Sequence, residues 1–272
     1  MRKIFTFVAA AGVALTLVAG CGSSGPDTAA PAPSVPSPSA APTTPAAPSS
    51  PVEPTSSAEP TPSPPASPSP TPTAPDKLRT GDKGEAVLAL QRRLSDLGYW
   101  NGKADGTFGP LTQQAVFTLQ KAAGLDRDGV VGPKTQKALD QGVRPKAKST
   151  KGHVVEIDLK RQVLMFVDDG KVSQIFNTST GSNEHYEYKG NTYLADTPTG
   201  HFTVSRQIDG WRDGPLGPLW RPKYFNGGIA VHGAYSVPPW PASHGCARVT
   251  ISAMNWIWSN DMLPKKTKVW VY

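Results

Sequence analysis

"HVVEIDLKRQVLMFVDDGKVSQIFNTSTG", residues 153–181, decides the fold of the C-terminal half of this chain. "HVVEIDL" and "QVLMFV" alternate or run apolar, Asp168-Asp169-Gly170 supplies a turn, and "KVSQIFNTSTG" continues beyond it. Short apolar stretches broken by Asp-Gly chemistry predict a β-hairpin or meander. "HFTVS" (201–205), "GIAVHG" (228–233) and "TKVWVY" (267–272) predict further strands, and one helix is expected over 252–261 with Ser252 as its cap. Residues 152–272 therefore predict a mostly β domain with one or two helices, large enough to bury its own core.

Upstream, residues 77–143 follow a different period. Val87, Leu90, Leu94 and Leu97 recur at helical spacing. "ADGTFGPLTQQAV" (104–116) and "RDGVVGPKTQKAL" (127–139) form an internal repeat, Asp-Gly-x-x-Gly-Pro-x-Thr-x-x-Ala. In each copy Asp-Gly turns the chain, and Pro110 or Pro133 suits the first position of a helix. Ala115, Val116 and Leu119, then Ala138 and Leu139, give the apolar faces of the helices that follow. A small all-α bundle of three helices is expected. "DRDG" (126–129) lacks the closing glutamate of a calcium loop.

The front of the chain places the rest. Arg2 and Lys3 precede an apolar run, 4–20, and then Cys21. Basic, apolar and small residues in that order make residues 1–20 a secretory signal, with an uncleaved membrane anchor as the alternative. Val18-Ala19-Gly20-Cys21 resembles a bacterial lipobox, which implies cleavage before Cys21 and lipid on its thiol. Residues 22–76 hold 18 of the 29 prolines, no aromatic residue and four charges, all acidic. Such a spacer cannot bury enough apolar surface to order itself, and as polyproline II it reaches up to about 170 Å. Residues 77–272 carry 26 Lys/Arg against 17 Asp/Glu, a surplus of nine positive charges. Outside the cytoplasmic membrane this favours anionic wall polymers or lipid headgroups over nucleic acid.

Two cysteines, Cys21 and Cys246, occur in the whole chain. If Cys21 carries lipid, Cys246 is a lone thiol, and it reads either as a small buried hydrophobe or as a nucleophile. Its setting, "VHGAYSVPPWPASHGCARV" (231–249), favours the second. A thiol is a useful nucleophile as thiolate, and His232 or His244 can take its proton. Gly245 lets the backbone approach a carbonyl closely, and amides near Gly245 and Cys246 suit an oxyanion. His153, His185 and His201 read as structural or surface residues, and no spacing predicts a metal or other cofactor. Residues 209–228, "DGWRDGPLGPLWRPKYFNGG", read as a lid or groove wall placing Trp220, Arg221 and Tyr224 near substrate, or as a surface loop packed by its own rings.

Two resemblances sharpen this reading. Residues 78–125 look like a peptidoglycan-binding domain, on Leu97-Gly98-Tyr99, Asp105-Gly-x-Phe-Gly109 and Gln120, which implies noncovalent attachment to wall glycan or peptide. His232, a loop, and then Ser243-His244-Gly245-Cys246-Ala247-Arg248 resemble the L,D-transpeptidase (YkuD-type) catalytic domain. "IDLKRQVLMFVDDGKV" and "DTPTGHFTV" (196–204) agree with it. The resemblance implies attack by Cys246 on the third residue of a wall tetrapeptide stem. D-Ala is lost, a thioester forms, and an amine of a neighbouring stem resolves it as a 3→3 cross-link. It implies His232 as proton acceptor, oriented by the carbonyl of Gly233, with His244 and Gly245 shaping the pocket and Ser243 and Arg248 as supports or substrate contacts. The ten-residue loop between His232 and Ser243 is short for the family, and Arg248 stands where Asn is common. Hydrolysis of the same stem by an L,D-carboxypeptidase or endopeptidase uses the same residues, and an inert wall-binding lipoprotein is the non-enzymatic alternative. Papain-like wall hydrolases place Cys before His, the reverse of the order here. The expected location is the outer face of the cytoplasmic membrane, lipid-anchored and reaching into the wall.

Overall fold

A computed structural model describes residues 77–272; the expected signal segment, lipidation at Cys21 and the expected spacer lie outside the described residues. Helices α1 (Glu85–Asp96), α2 (Pro110–Ala123) and α3 (Pro133–Asp140) come first. Both repeat copies open their helix the same way. Gly109 and Gly132 are the N-caps, each with φ −91° and ψ −175°, and Pro110 and Pro133 follow. A glutamine plugs each turn. Gln91 Nε2 donates to Asp105 Oδ1, the Thr107 carbonyl and Thr112 Oγ1 at 2.9–3.0 Å, and its Oε1 accepts from the Asp105 and Gly106 amides. Gln120 repeats this with Asp128, Val130, Thr135 and the Gly129 amide.

The second region is strand-rich: β1 (His153–Asp158), β2 (Val163–Asp168), β3 (Lys171–Asn177), β4 (His185–Tyr188), β5 (Asn191–Leu194), β6 (Gly200–Thr203), β7 (Arg206–Gln207), β8 (Trp211–Gly214), β9 (Gly217–Asn226), β10 (Ile229–Ala234), β11 (Ala247–Thr250) and β12 (Lys268–Val271). One sheet runs β3-β2-β1-β12-β6 and the other β11-β10-β9-β7, with β8 on β9 and β4–β5 as a separate hairpin. The expected layout, a helical region followed by a mostly β domain, is the one found. Helix α4 (Ile251–Ser259) starts one residue earlier than the sequence suggests, and the cap is Thr250, whose hydroxyl accepts from the Ala253 amide, rather than Ser252. Residues 209–228 are not an irregular surface loop, and Arg212, Leu216 and Leu219 among them make a groove wall. The segment forms the β8–β9 hairpin, paired from Trp211↔Trp220 to Gly214↔Gly217, with a Gly/Pro-rich turn at its tip and the Trp211–Trp220 ring pair, centroids 5.0 Å apart, closing its base.

Strand β2 explains why its sequence runs apolar without alternation. Leu164 and Phe166 face a core shared with Val231, Val249, Met254 and Ile257. Val163, Met165 and Val167 face the other way, into one cluster with Leu94, Tyr99, Phe108 and Leu119 of the helical region. Both faces of the strand are buried, which removes the polar half of the pattern. The edge of β3 is covered as well. The Ile175 amide donates to the Gly98 carbonyl at 2.8 Å, the Trp100 amide donates to the Ile175 carbonyl at 3.0 Å, and Trp100 stacks on Phe176.

Candidate active site

Strands β10 and β11 run parallel, with Val231 beside Ala247 and His232 beside Arg248. Joining parallel neighbours takes a crossover of about a dozen residues, and residues 235–246 supply it. Cys246 lies two residues before Arg248, so it shares the face of His232 and Arg248, two residue pairs along. Cys246, His232 and Arg248 open onto one groove of about 540 Å³, together with His244, Tyr224 and Tyr186.

His232 is 5% exposed. Its Nδ1 meets the Gly233 carbonyl at 2.9 Å, which makes Nδ1 the protonated nitrogen and leaves Nε2 as base. Burial pushes its pKa down to about 4, against the smaller opposing effect of that hydrogen bond. Gly233 has a packing reason to be glycine: a Cβ there would meet Trp220 Cδ1 at 2.8 Å and Met254 Cβ at 3.1 Å.

Cys246 is half-buried, and its Sγ accepts from the Ala230 amide at 3.4 Å. Burial pushes the thiol up, opposed by that amide and by Arg248. Thiol and imidazole are thus both neutral at rest, and no hydrogen bond joins them among the described residues. Catalytic contacts of this kind commonly tighten only when substrate arrives.

The turn before Cys246 is held from within. Ser243 Oγ donates to the Cys246 carbonyl at 2.6 Å and accepts from the Gly245 amide at 3.0 Å. Of the two expected roles for Ser243 these bonds supply support, and the residue also lines the groove. It also takes the Gly245 amide away from any oxyanion. Gly245 sits at φ +134°, and a Cβ would meet the Asp196 carbonyl at 2.7 Å, so the close approach that suggested glycine is to the protein's own backbone. Thr197 Oγ1 donates to the Gly245 carbonyl at 2.6 Å from beneath. His244 is exposed and meets the Tyr186 ring edge-on, centroids 4.7 Å apart. Arg248 is half-buried, and among the described residues no carboxylate pairs with it.

Three further expectations divide. Tyr224 lines the groove beneath Arg206, whose guanidinium lies 3.7 Å from the ring centroid. Trp220 and Arg221 do not line it. Trp220 Nε1 donates to Asn255 Oδ1 at 2.7 Å, and Arg221 pairs with Asp209 at 2.6 Å. The cause is a bulge. From Lys223 to Trp220 the chain takes three steps on β9, against two from Val231 to Gly233 on β10. Arg221, at φ +48°, takes up the extra residue. Trp220 and Tyr224 would share a face in a regular strand, and the bulge sends them to opposite faces.

Sequence reasoning missed Tyr186, Arg206, Ile229 and Tyr235 on the groove. Tyr186 on β4 and Arg206 on β7 carry no local signal of a site, whereas Ile229 and Tyr235 flank His232 at the two ends of β10, and that nearness was their signal. Thr197 lies inside the quoted "DTPTGHFTV" segment, which was its signal. Among the described residues no three His, Cys, Asp or Glu side chains converge to hold a metal.

Family models agree with this geometry. The PG_binding_1 peptidoglycan binding domain matches residues 83–139, and the YkuD L,D-transpeptidase catalytic domain matches residues 152–271. The crystal structure of an L,D-transpeptidase (residues 123–326) from Xylanimonas cellulosilytica is 56% identical. It aligns with a TM-score of 0.72 over 74% of this chain and 100% of that one. This chain belongs to the L,D-transpeptidase family. Its curated relatives match over shorter stretches. N-acetylmuramoyl-L-alanine amidase CwlM of Mycobacterium tuberculosis is 45% identical over 56 residues, 21% of this chain and 14% of that protein. A spore cortex-lytic enzyme of Oceanobacillus iheyensis is 32% identical over 126 residues, 46% of this chain and 44% of that protein. The chain thus spans less than half the length of either. In this family member the parallel β10–β11 pair belongs to the YkuD-matched region, and the helices that plug their own turns with glutamine belong to the peptidoglycan-binding match.

Proposed function

We propose that the protein is a peptidoglycan L,D-transpeptidase with Cys246 as nucleophile. One observation carries the reading: the Cys246 thiol and the His232 imidazole share one face of a parallel strand pair at the floor of an open groove. Nε2 of His232 takes the thiol proton as sulfur attacks the carbonyl of the third stem residue. The Cys246 amide, for which the described residues supply no acceptor, faces the oxyanion. The same imidazolium protonates the leaving D-Ala nitrogen, and a thioester remains. The amine of a neighbouring stem then attacks, loses its proton to His232 and frees the thiol, forming the 3→3 link. Half-buried and unpaired with acid, Arg248 suits a carboxylate of the substrate.

The test is incubation of the full chain with disaccharide tetrapeptide, with product masses read by mass spectrometry. Cross-linked dimers and free D-Ala, both lost in Cys246→Ala, are expected. Tripeptide alone would assign hydrolysis, and no D-Ala release would end the enzymatic reading. Lipid on Cys21 would hold the protein at the outer face of the membrane, and the helical region would bind wall polymer there. Cys21→Ser is expected to move the protein from the membrane fraction to the medium, and an unchanged distribution would overturn the anchor.

A further inference from the structure

We propose that the helical region is part of the catalytic apparatus, with Gln114 and Arg127 as positioning residues for the loop that carries Cys246; the claim rests on the transpeptidase reading above.

Residues 235–246 form no regular structure, and Pro238, Pro239 and Pro241 within them have no amide to donate. Such a loop cannot hold its shape by its own backbone bonds, and its carbonyls need donors from outside. Two of those donors come from the helical region. Gln114 Nε2 on α2 donates to the Val237 carbonyl at 3.1 Å, and Arg127 donates to the Pro239 carbonyl at 2.7 Å. These residues lie more than 110 positions apart in sequence, so no local preference brings them together.

A second route runs through the segment after β3. Asn177 Nδ2 donates to Gln114 Oε1 at 2.6 Å and to the same Val237 carbonyl at 3.1 Å. Its Oδ1 accepts from Lys121, whose Nζ also donates to the carbonyls of Gln162 at 2.8 Å and Thr178 at 3.1 Å. Lys121 projects from α2 and is 2% exposed, with no carboxylate partner among the described residues. Burying an amine this way is costly, and burial pushes its pKa well down. Two of its three bonds fix the corner at 177–178, and the third holds the Gln162 carbonyl, which accepts from the Thr178 amide. That corner grips the chain on both sides of Cys246. Thr178 Oγ1 donates to the Arg248 carbonyl at 2.9 Å, Ser179 Oγ to the Trp240 carbonyl at 2.8 Å, and the Ala242 and Ser243 amides to the Thr180 carbonyl at 3.0 and 2.9 Å. A wall-binding unit that served only as a tether has no need of bonds to this loop.

The experiment uses the full chain with Gln114→Met, Arg127→Met and the double substitution. Both side chains are only partly buried, so the variants are expected to fold, and each rate is normalised per folded molecule by urea titration. Two rates are read: acylation of Cys246 by a carbapenem, followed by mass, and its alkylation by iodoacetamide across pH. With the loop released, acylation by the carbapenem and kcat on disaccharide tetrapeptide fall about tenfold or more, with little change in KM. Alkylation near neutral pH rises about threefold or more, because the thiol is less buried. Arg127→Lys, which keeps a donor for Pro239, restores most of the acylation rate. Opposite movement of the two rates separates positioning from general destabilisation. Folded variants with wild-type acylation and wild-type alkylation, or with both rates lowered together, overturn the proposal. A wild-type chain that releases no D-Ala overturns the transpeptidase reading alone, because alkylation still reports the loop.

Discussion

His232 and Cys246 each rest in the uncharged form because each is withdrawn from water. In the proposed mechanism proton transfer between them is therefore coupled to attack, and the pH behaviour follows. The base is usable wherever His232 is neutral, so the acid limb of kcat/KM is expected near pH 4 and not near the 6.5 of a free imidazole. Alkylation of Cys246 by iodoacetamide should keep rising beyond the ordinary thiol range, and a plateau below pH 8 would contradict this. Stability is linked with a definite sign. The folded pKa of His232 lies below the unfolded value, so between pH 6.5 and 4 the unfolded chain binds the proton and the folded chain does not. Stability falls across that window as pH falls, by about 3 kcal/mol from this group. Urea titrations at pH 7 and 4.5 on the wild type and His232→Gln measure it: the substitution should remove most of the slope. The candidacy of these two residues was legible because Cys and His occur together beside Gly, with few other Cys or His in the chain. The fate of Ser243 was not, since a hydroxyl beside a nucleophile reads equally as substrate contact or as turn support, and its 2.6 Å bond to the Cys246 carbonyl exists only in the folded turn.

At the scale of elements, the turn at 243–246 depends on one backbone conformation. Gly245→Ala places a Cβ against the Asp196 carbonyl at a φ that L residues rarely adopt. A loss of roughly 1–3 kcal/mol in urea unfolding is expected, together with loss of D-Ala release. A variant of unchanged stability and activity would show that the turn tolerates another geometry. The strands themselves were readable wherever period and turn residues agreed, as over 153–177. Strand β9 was not, because its bulge at Arg221 adds a residue that composition does not mark. An aromatic-rich strand read without the bulge puts Trp220 and Tyr224 on one face, whereas in the structure Trp220 packs toward α4 and only Tyr224 reaches the groove. The glutamines show the reverse. Gln120 stood out beside the repeat, while Gln91, which does the same for the first copy from α1, is separated from its turn by 14 positions.

Across residues 77–272 the helical and β regions share a core, since Val163, Met165, Val167 and Ile175 pack with Leu94, Leu119 and Phe108. The connection between the regions is also fixed. Buried Glu156 accepts from the Lys148 and Ser149 amides and from Tyr272 Oη. Residues 77–272 are therefore expected to unfold in one cooperative transition, with the calorimetric and van't Hoff enthalpies equal. Met165→Ala should lower both helical and strand signals together by about 2–5 kcal/mol. Two separated transitions, with only one moved by the substitution, would show that the regions are independent.

By itself the sequence determined the two element periods and the repeat with its capping prolines, and it singled out Cys246 and His232 as candidates, because each is written in residues close together or of rare type. Only the tertiary structure decided that β2 is buried on both faces, that Trp220 turns away from the groove and that α2 reaches the loop before Cys246. Those outcomes depend on which surfaces meet after the chain has folded, and hydrogen bonds between residues a hundred positions apart leave no local pattern to read.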